Sequence, residues 1–295
     1  MAGKIIVIGD VILDVYHFCH NRENPESSAP CYTITRTEYK PGGAGNVAAN
    51  LARLGSECEL ISVVGNDSDS SVLENILDEY MIMHLLIKDN KRNTIVKERY
   101  HSASDGRYHF RADFEKREEI ANNHIEGIAG KIEENSLVLI SDYNKGVITS
   151  SLMETLKSKK VRIIADTKPS HRDYFFGIDY IKPNAKEVKE MTGIDDEIVA
   201  GEKLAQILKT NVILTRGKEG LTYFGRNNEW MNFKPQVSPD KVLDVTGAGD
   251  SVIATFTHFL NKGYEISKCL ELANKAGGIS VQYPGCYQVS EKELL

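Results

Sequence analysis

The chain alternates short, continuous apolar runs with longer stretches in which apolar positions recur at helical spacing. Lys4 to Gly9 is β-branched almost throughout and reads as a strand buried on both faces. Glu59 to Gly65, Leu137 to Ser141, Val161 to Asp166, Tyr180 to Lys182 and Val212 to Thr215 have the same character. Between them, Val47, Leu51 and Leu54 form one helix face closed by Gly55. Asp67 to Tyr80 reads as another helix and Glu115 to Glu134 as a charged amphipathic one. Further helices start at Thr149, run to Thr192 and cover 197–209. Such alternation predicts a parallel sheet with helices on both faces. Near the end, Lys241-Val-Leu243 reads as a short strand end. Asp244 to Asp250 then leads into an apolar helix, Ser251 to Leu260, with two last helices behind it.

A second pattern stands apart from this alternation. Pro30 to Thr37 looks like a strand with one polar face. Thr94 to His101 and Gly106 to Asp113 resemble a hairpin turning at Ser104-Asp-Gly106. With the segment near 12–18 they predict a small, mostly antiparallel sheet, and Gly220 to Phe233 adds an antiparallel pair to the main one. No linker, repeat or low-complexity stretch divides the chain, so the expectation is one domain over 1–295.

Composition narrows the classes. At 41% hydrophobic and 26% charged residues the chain is ordinary globular protein, and a net charge of −6 argues against a nucleic-acid partner. A small anionic ligand needs only a local basic pocket. Five scattered cysteines without a CxxC pair fit a reducing cytoplasm and no structural zinc. Asp10 and Asp14 interrupt the first apolar run, so no signal peptide is expected, and no run is long enough to span a membrane.

The candidate chemistry sits where strands give way to helices. In Asp244-Val-Thr-Gly-Ala-Gly-Asp250 the glycines let backbone N–H groups face an anion at a helix start. Asp250 beside such a hole suits a base taking a proton from an attacking hydroxyl; it equally suits a helix cap. Lys40 to Asn46 is a second glycine loop opening a second helix. Gly43, Gly45 and Ala48 also match a dinucleotide fingerprint, but not at the first strand-to-helix turn, where that motif belongs. No P-loop motif occurs. Four strand ends carry polar groups: Ser141-Asp142-Tyr-Asn-Lys145-Gly146, Asp166-Thr-Lys168-Pro169, Lys182-Pro-Asn184-Ala-Lys-Glu187 and Thr215-Arg-Gly217. Four in succession on one rim predict a ligand site. Asn184 and Glu187 suit water-bound Mg²⁺, or a capping box, or both. Lys145 and Lys168 suit a phosphate or plain solvent. Tyr143, Tyr174 and Phe175 read as packing, and His101 and His109 as hairpin faces.

Taken together, Gly42-Gly43 with Asn46, and Asp244 to Asp250, resemble the paired signatures of the ribokinase-like (PfkB) sugar kinases. The likeness extends to Asn184–Glu187 and Thr215–Gly217 and covers essentially the whole chain. Within the family it is greatest to the members acting on a heptose 7-phosphate, through Gly9 to Asp14, Asn24 to Pro30, Lys40 to Asn46, Arg111 to Glu115, Ser141 to Gly146 and Asp244 to Asp250. The resemblance implies a three-layer α/β/α sandwich with a mostly parallel central sheet and a small β-sheet lid, the lid strands drawn from about 12–37 and 94–113. It implies ATP-dependent phosphorylation of an anomeric hydroxyl, with Asp250 as base and Gly247, Ala248 and Gly249 as anion hole. Asn184, Glu187, Thr215, Gly217, Asp244 and Thr246 would serve ATP, Glu187 holding Mg²⁺ through water. Asp14, Gly42, Gly43, Asn46 and Asp142 would meet the sugar, and Arg111, Lys145 and Lys168 its phosphate. A monovalent cation, a homodimer through the lid and a cytoplasmic location complete the expectation, with no nucleic-acid or membrane partner.

Overall fold

The computed structural model describes residues 3–295; residues 1 and 2 of the expected 1–295 unit lie outside the described residues. The chain opens with β1 (Ile5–Gly9), β2 (Val11–Arg22), β3 (Cys31–Gly43), α1 (Ala44–Arg53), β4 (Cys58–Gly65), α2 (Ser68–Glu79) and β5 (Met83–Asp89). It continues through β6 (Ile95–Ser102), β7 (Tyr108–Phe114), α3 (Asn122–Ala129), β8 (Leu137–Ser141), α4 (Ser150–Ser158), β9 (Arg162–Asp166) and β10 (Tyr180–Ile181). Then come α5 (Ala185–Thr192), α6 (Glu197–Leu208), β11 (Asn211–Thr215), β12 (Leu221–Phe224), β13 (Trp230–Phe233), α7 (Ala248–Asn261), α8 (Ile266–Ser280) and α9 (Glu291–Leu294).

Nine strands form one sheet in the order β13-β12-β11-β10-β9-β8-β1-β4-β5, parallel from β11 to β5, with an antiparallel edge at β12 and β13. Two apolar layers cover it. Apolar side chains of α1, α2, α7 and α8 pack on one face, and those of α3 to α6 on the other. That is a three-layer α/β/α sandwich. The continuous apolar runs are explained by it: Ile5, Val7 and Ile8 are fully buried because neighbours on both faces claim alternate side chains.

The second sheet runs β3-β2-β6-β7, its middle pair β2–β6 parallel and the outer pairs antiparallel. Its strands outrun the expected 12–18 and 30–37, because β2 leaves β1 after a single residue, Asp10, and β3 runs on into α1. Residues paired across the sheet share a face. Asp14, Lys40, Lys97 and Asp113 therefore lie together, as do Tyr16, Glu38, Arg99 and Arg111 on the same side. The opposite side carries His17, Tyr39, Tyr100, Phe110 and Phe114.

Two expectations are corrected, and one strand is added. The helix expected over Glu115–Glu134 forms only at Asn122–Ala129. Ile120 is buried and its N–H donates to the Gly146 carbonyl, which ties the segment before the helix to the loop after β8. No strand forms at Lys241–Leu243: a 3-10 turn over Pro239–Lys241 precedes it, and the N–H groups of Leu243 and Asp244 both reach the Val281 carbonyl. The edge strand β5, half-buried and not apolar throughout, was outside the sequence pattern. Among the described residues no helix is long and apolar enough to cross a membrane.

Candidate active site

The four polar strand ends stand side by side, because β11, β10, β9 and β8 are consecutive in the sheet. The Asp244–Asp250 loop and the N-terminus of α7 close over them. Gly247 is the N-cap residue of α7, with φ 74°. A Cβ there would lie 2.9 Å from Asn46 Nδ2 and 3.0 Å from Cys286 Sγ, so only glycine fits. Because Gly247 caps the helix, Asp250 does not. Its side chain is buried and turned inward: Asn46 Nδ2 donates to Oδ2 at 2.7 Å and the Tyr143 hydroxyl to Oδ1 at 3.0 Å.

Burial pushes the Asp250 carboxyl up to about 6. The Asn46 hydrogen bond opposes this, the nearby Asp166 charge adds to it, and Tyr143 and Lys182 oppose it. The carboxyl is thus poised near neutrality, where a general base works best. Beneath the helix start, the buried Lys182 ammonium pairs with Asp166 Oδ2 at 2.9 Å. A Cβ on Gly249 would sit 3.1 Å from Lys182 Nζ, so backbone and ammonium are in near contact. The first-turn N–H groups of a helix have no intrahelical partners and favour an anion. Of the expected trio, Ala248 already points its N–H at the Val245 carbonyl, 3.3 Å away.

Asn184 and Glu187 form the capping box at the start of α5. Asn184 Oδ1 accepts from the Lys186 and Glu187 N–H groups, and Glu187 Oε2 from the Asn184 N–H. Glu187 Oε1 also accepts from Lys168 Nζ at 2.7 Å. Thr215 lies in a backbone bridge with Asn184, and Gly217 begins the turn after it. Both line a cleft of about 450 Å³ between the sheet and helices α7 and α8, with Ala248 and Gly249 on its floor. Its remaining walls include Val242, Val245, Val252, Asn274, Gly277, Gly278 and Val281. These were not anticipated. The available signal was the pair Gly277-Gly278 inside a helix, which costs stability unless close packing or a ligand requires it. Asp244 and Thr246 support the loop from behind: Asp244 Oδ1 accepts the Thr246 N–H and Oδ2 the Gly285 N–H.

On the small sheet, Asp14 is buried and ion-paired with Arg99. Burial raises its pKa and the Arg99 charge opposes the rise. Gly42 and Gly43 end β3 opposite Ile12 and Val11, and Asn46 follows on the first turn of α1. The Lys97 ammonium, on the Asp14 face, lies 5.9 Å from the Tyr143 ring centre.

Lys145, Lys168 and Arg111 do not converge as free cations. Lys145 pairs with Glu115, Lys168 with Glu187 and Arg111 with Asp113. Lys168 thereby stands beside the capping box, its ammonium 5.4 Å from the Tyr143 ring centre. Asp142 is a further correction: it lies behind the rim, almost fully buried, accepting from the Asn144 N–H, the Thr167 hydroxyl and the His171 ring. Asp10 likewise shapes the loop, accepting the N–H groups of Tyr143, Lys145 and Val147. Tyr143, expected to be packing alone, touches the central carboxylate.

The chain resembles known proteins over essentially its whole length. The D-beta-D-heptose 7-phosphate kinase of Bordetella bronchiseptica is 31% identical over 99% of this chain and 95% of its own length. The bifunctional protein HldE of Pseudomonas entomophila is 33% identical over 99% of this chain; the chain spans 63% of that relative's length. Phosphofructokinase-2 from Escherichia coli, solved in complex with potassium, superposes with a TM-score of 0.82 at 18% identity, covering 100% of this chain and 97% of that one. Arabidopsis thaliana ribokinase, complexed with ribose and ATP, superposes at 0.73 and 20% identity, over 100% and 96%. Identities this low speak for the fold, which is ribokinase-like. The family model for pfkB family carbohydrate kinases matches residues 2–293, a span that takes in both glycine loops and the cleft, and the chain belongs to this family.

Proposed function

We propose that this chain is an ATP-dependent kinase of D-glycero-β-D-manno-heptose 7-phosphate, converting it to the 1,7-bisphosphate for ADP-heptose and lipopolysaccharide core synthesis. The observation that carries the phosphoryl-transfer reading is Asp250, buried at the start of α7, held by two neutral donors, with its carboxyl pushed up to about 6. The sugar reading is supported by the names of the relatives and by the Asp14 face of the small sheet, where Lys97 lies between Asp14, paired with Arg99, and Asp113, paired with Arg111.

The anomeric hydroxyl gives its proton to Asp250 as its oxygen attacks the γ-phosphorus, and the bond to the ADP oxygen breaks. Asn46 and Tyr143 orient the carboxylate. The N-terminus of α7, with Lys182 beneath it, stabilises negative charge on the transferring group. The cleft by Thr215, Gly217, Val245 and Gly278 takes the nucleotide base, and Lys168 faces its phosphates. Mg²⁺ would neutralise charge on the phosphates. Glu187 is the carboxylate at hand, and since its two oxygens already accept from Lys168 Nζ and the Asn184 N–H, it would hold the ion through water. A Mg²⁺ ion bound largely through water and phosphate oxygens needs no more.

The exposed apolar side chains on the other face of the small sheet, Ile34, Tyr39, Phe110 and Phe114, support a homodimer through the lid. Five free cysteines and ATP use support a cytoplasmic setting. A ³¹P NMR assay with ATP and a panel of sugar 7-phosphates and free sugars tests the reading. A new anomeric phosphate signal from the heptose 7-phosphate is expected, and preference for a neutral sugar would overturn the substrate assignment.

A further inference from the structure

We propose that Tyr143 is the positioning residue of the base: its hydroxyl, 3.0 Å from Asp250 Oδ1, fixes the carboxylate plane and holds the group in its anionic form. The inference rests on the reading of Asp250 as base. Tyr143 is placed from both ends. Its N–H donates to Asp10 Oδ2 at 2.9 Å, and its ring lies between two ammonium groups, Lys97 of the small sheet at 5.9 Å and Lys168 of the main body at 5.4 Å. Burial, then the Asp250 charge, pushes the phenol well above its ordinary range, so it remains a proton donor at any working pH.

Every element packed around Asp250 contributes a group. Asn46 comes from α1, Tyr143 from the loop after β8, Asp166 and Lys168 from the end of β9, Lys182 from the end of β10, and Cys286 from the C-terminal loop. Among the described residues only Asn46 and Tyr143 donate a hydrogen bond to the carboxylate. Asn46 also spans to Gln288, so it is tied into the wall, whereas Tyr143 carries nothing else on its hydroxyl. Removing that hydroxyl leaves one carboxylate oxygen without its donor and favours the protonated, inactive form.

The test is the pH dependence of kcat/KM for the sugar phosphate in Tyr143→Phe, beside Asp250→Asn. Phenylalanine keeps the ring between Lys97 and Lys168. The acid limb is expected to move up by about one pH unit, as for one hydrogen bond to a charged group, so the rate falls about tenfold on the acid side of the limb, about twofold near pH 7 and little at higher pH. An unchanged KM for ATP shows that the variant is folded. A uniform loss at every pH, with the limb unmoved, overturns this inference alone. An Asp250→Asn enzyme that keeps its turnover overturns the base reading and this inference with it.

Discussion

Lys97→Met and Lys168→Met separate the two ends of the site. The sequence alone pointed to Lys168 as a ligand of the sugar's phosphate, but its ammonium is paired with Glu187 at the start of α5. Lys97 is on the Asp14 face of the small sheet, in register with Asp14 and Asp113. Burial lowers its pKa, and the Asp14 charge opposes the fall. Methionine keeps most of the apolar stem and removes only the charge. If Lys97 makes one charge-assisted contact with the sugar phosphate, its loss costs about 1.5–3 kcal/mol, hence roughly ten- to a hundredfold in KM. Asp14 keeps Arg99, so the carboxylate is not left unpaired. Lys168→Met is expected to lower kcat or raise KM for ATP instead, with the sugar phosphate KM nearly unchanged. The assay is ADP release with each substrate varied against saturation by the other. A Lys97→Met enzyme whose KM for the sugar phosphate is unmoved refutes the lid-face subsite. A Lys168→Met enzyme in which only that KM rises refutes the division and returns Lys168 to the sugar.

Other outcomes follow from the same geometry. Asp250→Asn keeps ATP binding and loses about 10²–10⁴-fold in turnover, which steady-state kinetics would check. In the parent enzyme Asp250 is ionised above about 6 and protonated below, so kcat/KM falls as pH drops through that value; an acid limb near the ordinary aspartate range, about 4, would contradict the burial argument. Gly247→Ala meets Asn46 and Cys286 at φ 74°, so about 1–2 kcal/mol of backbone strain should lower Tm by several degrees and turnover should fall with the displaced Asn46; calorimetry showing an unchanged Tm counts against it. Phe110→Asp should yield monomer in light scattering if the small sheet pairs across a dimer, and a parent protein that is monomeric at micromolar concentration sinks the interface.

How much was legible from sequence follows from where each signal resides. Buried parallel strands announce themselves because both faces must be apolar, so β1, β4, β8, β9 and β11 stood out. The edge strand β5 is half-buried and carries no such run. The charged segment from Glu115 had helical periodicity, yet tertiary contacts claim its first part: Ile120 N–H donates to the Gly146 carbonyl and Glu115 pairs with Lys145. Local propensity is a weak prior when a buried backbone group finds a partner elsewhere.

The site divides in the same way. Glycine loops are local constraints, since a positive φ or a missing Cβ is demanded by the turn itself; hence Gly247 could be read from seven residues, which left Asp250 open between a base and a helix cap. Which carboxylate meets which cation is not local. Asp250 receives Asn46 from a helix 204 positions earlier and Tyr143 from a loop 107 positions earlier, and Lys168 finds Glu187 rather than Lys145 for company. Asp142 looked like a rim group and became, with Asp10, an internal brace of the loop that carries Tyr143. The chain alone determined the alternation, the turns and the chemistry available at the strand ends. Only the folded sheet, which sets neighbours by strand order rather than by sequence distance, decided which of those groups share a pocket and which neutralise one another behind it.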